Sequence, residues 1–457
     1  MKSPIKLLIL ILIGVFLITS GFSCKLFPKK EVPKTLTKKI NLTYWGVWDD
    51  TADLQQIIND FTALHPNISI SYKKFRFQEY EQKLLEAWAE DRGPDIYSIP
   101  VEWLKEYQNR VTAQPASIQL AFNEVDTTFG KTDVTTVVRQ VPVFNPNEIK
   151  NRFVDTVFND VIINGQIYGL PFSIDNLALF YNRDLLDAAG IATPPTTWTE
   201  VKEAVKKTTL LDSQNNIIQA GIALGGAENI PRAVDIVSLL MMQNGTQMTA
   251  GGKVNFQAPP TGSSDKSYIP GLEALNFYTD FADPVKEVYS WNQDMQNALD
   301  EFISGKLAMM YGYSYQLPVI KSRAPKLDIG IAPMTQIQGA TQALNFTNYW
   351  VNTVSHKTAS ANEAWGFLNF ATQENEVKKY LNITKRPAGL RSLINEQKND
   401  PEIAVFADQA LTAQHWYAGK DANKMEEIFL EMIENFSYTA DPQSLMKNAA
   451  ERINLTL

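Results

Sequence analysis

The chain has 457 residues, a formal net charge of −8, 44% hydrophobic and 11% aromatic residues, and one cysteine. These are globular values, with enough length for two sizeable cores. The acidic balance argues against nucleic-acid binding, and a lone cysteine excludes a disulfide framework.

Lys2 and Lys6 precede an apolar run from Leu7 to Ile18, followed by small and polar residues and then Cys24. That order predicts a secretory signal over residues 1–23. The 17 uncharged residues from Leu7 to Ser23 approach the roughly 20 of a membrane span, so an uncleaved anchor helix is the alternative. Cys24 just after such a signal resembles a bacterial lipoprotein cysteine, although Gly21 and Phe22 depart from the usual lipobox. Lipidation there would anchor the protein outside the cytoplasm, at the cell membrane. Residues 24–40 then read as a basic, extended tether with Pro28 and Pro33. Over residues 1–40, eight lysines against one glutamate give +7, which leaves −15 for residues 41–457. A basic stalk on an acidic body suits anionic lipid, or is simply a solvated linker.

The body alternates strand and helix signals. Leu42–Trp45 reads as a strand; Leu54, Ile57, Ile58, Phe61 and Leu64 recur at helical spacing until Pro66. Ile68, Ile70 and Tyr72 alternate as a strand, a helix runs from Gln78 to Glu90, and Gly93-Pro94 turns into another strand. This βαβ order predicts an α/β fold with parallel sheets covered on both faces. Leu177–Tyr181 reads as a buried strand, with the polar pair Asp175-Asn176 at its mouth. A short helix stops near Gly190, and Thr197 with Glu200 predicts a capping box for the next helix. Met425, Ile428, Phe429, Met432, Ile433 and Phe436 form the cleanest amphipathic helix.

Enzyme signatures are missing. The three histidines form no zinc pattern, no phosphate-binding loop or G-x-S-x-G elbow occurs, and Gly225-Gly226 and Gly251-Gly252 lack a strand-to-helix setting. No cofactor or metal is expected. Paired carboxylates of a surface glycoside hydrolase stay open as an alternative, because their spacing is spatial rather than sequential. Positive signals point to binding. Aromatic residues cluster with polar ones near turns at Trp48-Asp49, Glu102-Trp103, Tyr313-Ser-Tyr315, Asn348-Tyr349-Trp350 and His415-Trp416-Tyr417. Rings beside carboxylates and amides suit sugars, which present apolar faces and a rim of hydroxyls. Trp88, Trp198 and Trp365 read instead as core.

The segment from Tyr168 to Trp198 resembles the hinge-crossing segment of the family-1 extracellular solute-binding proteins, maltose-binding-protein-like subunits of ATP-binding cassette importers. Gly93-Pro94-Asp95-Ile96, Phe302-Ile-Ser-Gly305-Lys306-Leu-Ala308-Met309, Ala364-Trp365-Gly-Phe-Leu368 and Arg386-Pro387-Ala388 continue the likeness in order. The resemblance implies a two-lobed, periplasmic-binding-protein-like (type II) fold with crossing hinge strands and ligand in the cleft. Lobe 1 would comprise 41–174 and 350–400, and lobe 2 residues 175–349 and 401–457. It further implies a monomer, with transporter permease subunits as partners. By the same analogy Trp48, Asp49, Glu102, Trp103, Asp175 and Asn176 touch ligand, together with the segment Asn348, Tyr349, Trp350. Trp416-Tyr417 would stack on sugar. The family's stacking Trp is replaced here by Ser314 between Tyr313 and Tyr315, so either tyrosine is a candidate platform. A cell-surface glycan-binding adhesin that reuses the fold without transport is a further alternative.

Overall fold

The computed structural model describes residues 38–128 and 131–457, with side chains outside 125–133. The expected signal, Cys24 and residues 24–37 of the tether lie outside the described residues. Among the described residues no helix is long and apolar enough to cross a membrane.

The first sheet is built as the alternation predicts. Strand β1 (Ile40–Gly46) runs parallel to β2 (Ile68–Lys74), in register from Ile40 opposite Ile68 to Gly46 opposite Lys74, and parallel to β3 (Ile96–Pro100). The helix between β1 and β2, Thr51–Leu64, buries Leu54, Ile57, Ile58 and Phe61 of the stripe read from spacing, whereas Leu64, in its last turn, is exposed. All five residues of β3 are buried, as a central strand between two layers of helices requires. Between the first sheet's elements and the hinge, β4 (Ile118–Thr128) and β5 (Lys131–Val141) form a long antiparallel hairpin. Its base packs on helix Ala361–Ala371, where Leu120 fills the space over Gly366.

The second sheet contains β6 (Ala178–Asn182), β7 (Ile217–Ile222), β8 (Leu307–Gly312) and β9 (Ile329–Ala332), in the spatial order β9-β6-β8-β7, with Leu210–Leu211 at its edge. Strands β7 and β8 are parallel, whereas β6 runs antiparallel to both β8 and β9. In the first sheet the matching antiparallel strand is β10 (Trp350–Val354), paired with β3. Each sheet thus takes a reversed strand that enters directly from a crossing between lobes, and the edge strand Leu210–Leu211 of the second is also antiparallel to its neighbour. At that crossing Leu177 N donates to Phe346 O at 3.0 Å, Asn348 N to Asp175 O at 3.1 Å, and Ile174 N to Pro387 O at 3.0 Å. Three passages of the chain therefore lie side by side between the two sheets.

The local signals behave as expected. Glu200 N donates to Thr197 Oγ1 at 3.2 Å and Thr197 N to Glu200 Oε2 at 3.1 Å, the reciprocal cap of helix Trp198–Thr208. Helix Ala422–Phe436 buries the whole stripe from Met425 to Phe436. Trp88, Trp198 and Trp365 are buried. One reading needs correction: Gly225-Gly226 does lie between a strand, β7, and a helix, Ala233–Gln243. No phosphate could be cradled at Gly226, because a Cβ there would already meet Asn229 at 2.6 Å and the Trp291 ring at 3.2 Å.

Candidate functional site

A cavity of about 250 Å³ lies between the sheets and against the crossing strands. Its first wall comes from the ends of lobe 1 elements. Trp48 follows β1, Phe77 opens helix Phe77–Ala89, Glu102 and Trp103 follow β3, and Trp350 begins β10. The ring of Trp48 stacks on Phe77 (centroids 6.1 Å apart, 26° between planes) and meets Trp350 edge-on at 6.0 Å. Trp350 lies 6.5 Å from Trp103. This is a continuous aromatic wall at the carboxyl ends of β1 and β3, where α/β sheets place ligands.

Lobe 2 supplies the opposite wall. Tyr315 follows β8 and reaches Trp48 across the cleft, with centroids 5.2 Å apart and planes 31° apart. Tyr313 stacks behind it at 6.1 Å and 13°; it is 1% exposed, and its hydroxyl donates to Asp235 at 2.6 Å. Tyr315 is 37% exposed, so of the two candidates it presents its ring to the cleft. Arg232 precedes helix Ala233–Gln243 and holds Asp235 through Nε (2.7 Å) and Nη2 (2.8 Å). Glu426 stands 3.5 Å from Arg232 Nη1. Two more contacts tie the lobes at the rim, Asn423 Nδ2 to Glu81 at 2.8 Å and Lys105 Nζ to Ala418 O at 2.8 Å.

The crossing strands form the floor. Asp175 lines the space, yet its carboxylate already accepts four hydrogen bonds. The donors are Ser314 N (3.0 Å), Ser314 Oγ (2.7 Å), Tyr315 N (3.3 Å) and Asn176 N (2.9 Å). It therefore fixes the loop that carries Tyr315. Asn348 donates to Glu102 Oε1 at 3.3 Å, and Tyr349 turns away to donate to Asp160 at 2.6 Å.

Four of the expected contacts do not line this space, although Trp416 and Tyr417 border a smaller cavity that shares Glu102, Arg232 and Glu426 with it, and Asp49 borders another that shares Trp48 and Arg386. Asp49 is buried behind Trp48, where it accepts from Arg386 Nη1 (2.7 Å) and the Tyr380 hydroxyl (2.8 Å). Asn176 is fully buried, donating to Phe406 O at 2.9 Å. Trp416 donates to Ser238 Oγ at 2.9 Å and packs on Phe256 and Phe429 inside lobe 2. Tyr417 is also buried, and its hydroxyl bonds Thr456 Oγ1 at 2.8 Å. Conversely, Phe77, Arg232, Arg386, Asn423 and Glu426 line the space without having been singled out as ligand contacts.

Burial dominates the acid–base character of the site. It pushes the Glu102 carboxyl up to about 7 against the pull of Arg232, and that of Asp175 up to about 6 against its backbone and hydroxyl donors. For His415 burial acts downward, but Asp160, with Oδ1 2.9 Å from Nε2, overcomes it and raises the ring to about 9. That contact is an ion pair by distance rather than an aligned hydrogen bond, since neither ring nitrogen makes one. All three groups bind protons more tightly folded than unfolded, so each favours folding on its acidic side. The two carboxyls lose that advantage as pH rises from their ordinary values near 4 to about 6 and 7; His415 loses it between about 6.5 and 9. Acids held low, such as Asp60 and Glu200, act only below about pH 4. Thermal unfolding between pH 5 and 9 should therefore show a steadily falling midpoint, with a shallower slope below pH 7 in Glu102→Gln. A midpoint that rises over this range would contradict the assignment.

A ligand-sized cleft between two α/β lobes, walled by both and floored by crossing strands, defines a two-lobed solute-binding protein. Residues 56–405 match the family described as bacterial extracellular solute-binding protein, and the chain belongs to that family. A binding protein of Brucella abortus is 24% identical over 420 residues, covering 88% of this chain and 89% of its own. The maltotriose-binding protein of Pyrococcus abyssi is 20% identical over 419 residues, covering 87% and 78%. Among solved structures, a substrate-binding protein of an ATP-binding cassette (ABC) transporter from Listeria monocytogenes, in complex with cycloalternan, has the same fold. Its TM-score is 0.68 at 17% identity, covering 92% of this chain and 99% of that one.

Proposed function

We propose that this chain captures a small saccharide in the inter-lobe cleft outside the cytoplasm and delivers it to an ABC importer. The observation that carries the reading is the pairing of an aromatic wall (Trp48, Phe77, Trp350, with Tyr315 opposite) with the polar groups of Glu102, Asn348 and Arg232 around one cavity. Aromatic faces cover the apolar side of a sugar ring while the polar groups take its hydroxyls. A volume of about 250 Å³ lies just under the ~300 Å³ lower end of common ligand pockets, which suits one or two sugar units. The maltotriose-binding and cycloalternan-bound relatives make the same ligand class reasonable here.

Ligand would bridge the lobes and hold the closed arrangement, which the permease subunits would read. The protein would work as a monomer, tethered by lipid at Cys24, and return its ligand unaltered rather than hydrolyse it. A thermal-shift screen with mono- and disaccharides tests this. A true ligand at a hundredfold excess over its dissociation constant adds about 2.7 kcal/mol and raises the midpoint. The same sugar should be recovered intact after incubation. A panel in which no saccharide raises the midpoint, or in which the binder is cleaved, would reject the reading.

A further inference from the structure

The ion pairs of the cleft bear on the charge of what it holds. Each guanidinium in the wall is already matched by an acid behind it. Arg386 is paired with Asp49 at 2.7 Å, and Arg232 holds both carboxylate oxygens of Asp235. Asp175 is satisfied by four N–H and O–H donors. Two carboxylates are left over. Glu102 receives one long hydrogen bond, from Asn348 at 3.3 Å, and Glu426 meets only a distant edge of the already paired Arg232, at 3.5 Å. They come from the two lobes and line the same space as Trp48, Trp350 and Tyr315. The faces of such rings attract a cation, and an ion pair in a site shielded from water is stronger than one in bulk solvent. Burial raises Glu102 against the pull of Arg232 and His415, whose ion pairs are with Asp235, Glu426 and Asp160 instead.

Resting on the saccharide reading, we propose that the preferred ligand carries a protonated amine, as an amino sugar does, and that Glu102, with Glu426 on the facing lobe, selects it. A uronate would add a third unmatched negative charge and is excluded by the same arrangement. The ligand is thus chosen by charge as well as by ring shape.

Isothermal titration of the full chain tests this with α- and β-linked disaccharides in three matched forms: glucosamine units with free amines, the plain hydroxyl counterparts, and the uronates. The amine form is expected to bind at least tenfold more tightly than its hydroxyl counterpart, with the uronate weakest. Glu102→Gln should bring amine and hydroxyl forms to within about twofold, and Glu426→Gln should narrow the gap less. Circular dichroism of each variant checks that it folds; should Glu102→Gln not fold, the wild-type ratio and Glu426→Gln decide. Equal or tighter binding of the hydroxyl form, or a ratio unchanged in Glu102→Gln, overturns the amine inference and leaves the saccharide reading standing. Failure of all three forms to bind overturns both.

Discussion

Replacing Arg386 by methionine is expected to cost about 3–5 kcal/mol of stability, the usual result of removing one partner from a buried ion pair. The guanidinium lies in the third passage between the lobes and holds three groups. Nη1 donates to Asp49 at 2.7 Å and to the Tyr380 hydroxyl, and Nη2 donates to the backbone oxygen of Trp48 at 3.1 Å. With side chains only 20% and 11% exposed, Arg386 and Asp49 have little water to replace each other's charge. Methionine would keep the apolar stem but leave Asp49 with the Tyr380 hydroxyl as its one remaining side-chain donor. The loop that carries Trp48 would lose its anchor as well, so ligand binding should weaken together with stability. Urea unfolding measures the first effect. The double variant Asp49→Asn/Arg386→Met should recover part of the loss, because the stranded charge is gone. A single variant within about 1 kcal/mol of wild type would mean that the pair is screened by solvent, as exposed pairs are.

The elements legible in the sequence are those whose signal is local. The stripe Leu54, Ile57, Ile58, Phe61 and the cap Thr197–Glu200 need only neighbours within a few positions; the cap stands as read, and the stripe does except for Leu64 in the exposed last turn. The hairpin Ile118–Val141 was not read, and its partner, helix Ala361–Ala371, lies over 200 residues away in the sequence. The cleft was legible as a place but only partly as a list of residues. Trp48 and Asp49 show why. They are consecutive, yet the chain bends at Val47 and Trp48 just beyond β1, and the two side chains part. Trp48 therefore faces the cleft while Asp49 points back toward Arg386. Trp416 looked like a platform, but its indole N–H finds Ser238 inside lobe 2, a partner 178 residues away. Phe77 and Glu426 went unread for the opposite reason. Each sits on an ordinary amphipathic helix, and only the packing of the two lobes turns those positions toward one cavity.

Trp48→Ala is expected to lower saccharide affinity by about 30-fold, equivalent to about 2 kcal/mol, while changing the stability of the free protein by less than about 1 kcal/mol. The separation of the two effects follows from where the ring stands. It is 38% exposed and supports no core residue, yet it touches Phe77, Trp350 and, across the cleft, Tyr315. Removing it takes away the face on which a sugar ring would lie and also a ring contact through which the two lobes meet. The closed arrangement loses more than the open one, so the effect should fall mainly on the dissociation rate. Trp48→Phe keeps a face of reduced area and should retain most of the affinity, whereas Trp48→Leu keeps bulk without a π face and should not. Titration with the saccharide selected by the thermal-shift screen distinguishes these outcomes. A loss below threefold in Trp48→Ala would move the platform to Trp350 and Tyr315. The cleft would then close on its ligand through the Tyr315 loop that Asp175 holds in place, and Ser314→Ala, which removes one of that carboxylate's four donors, would become the more damaging change.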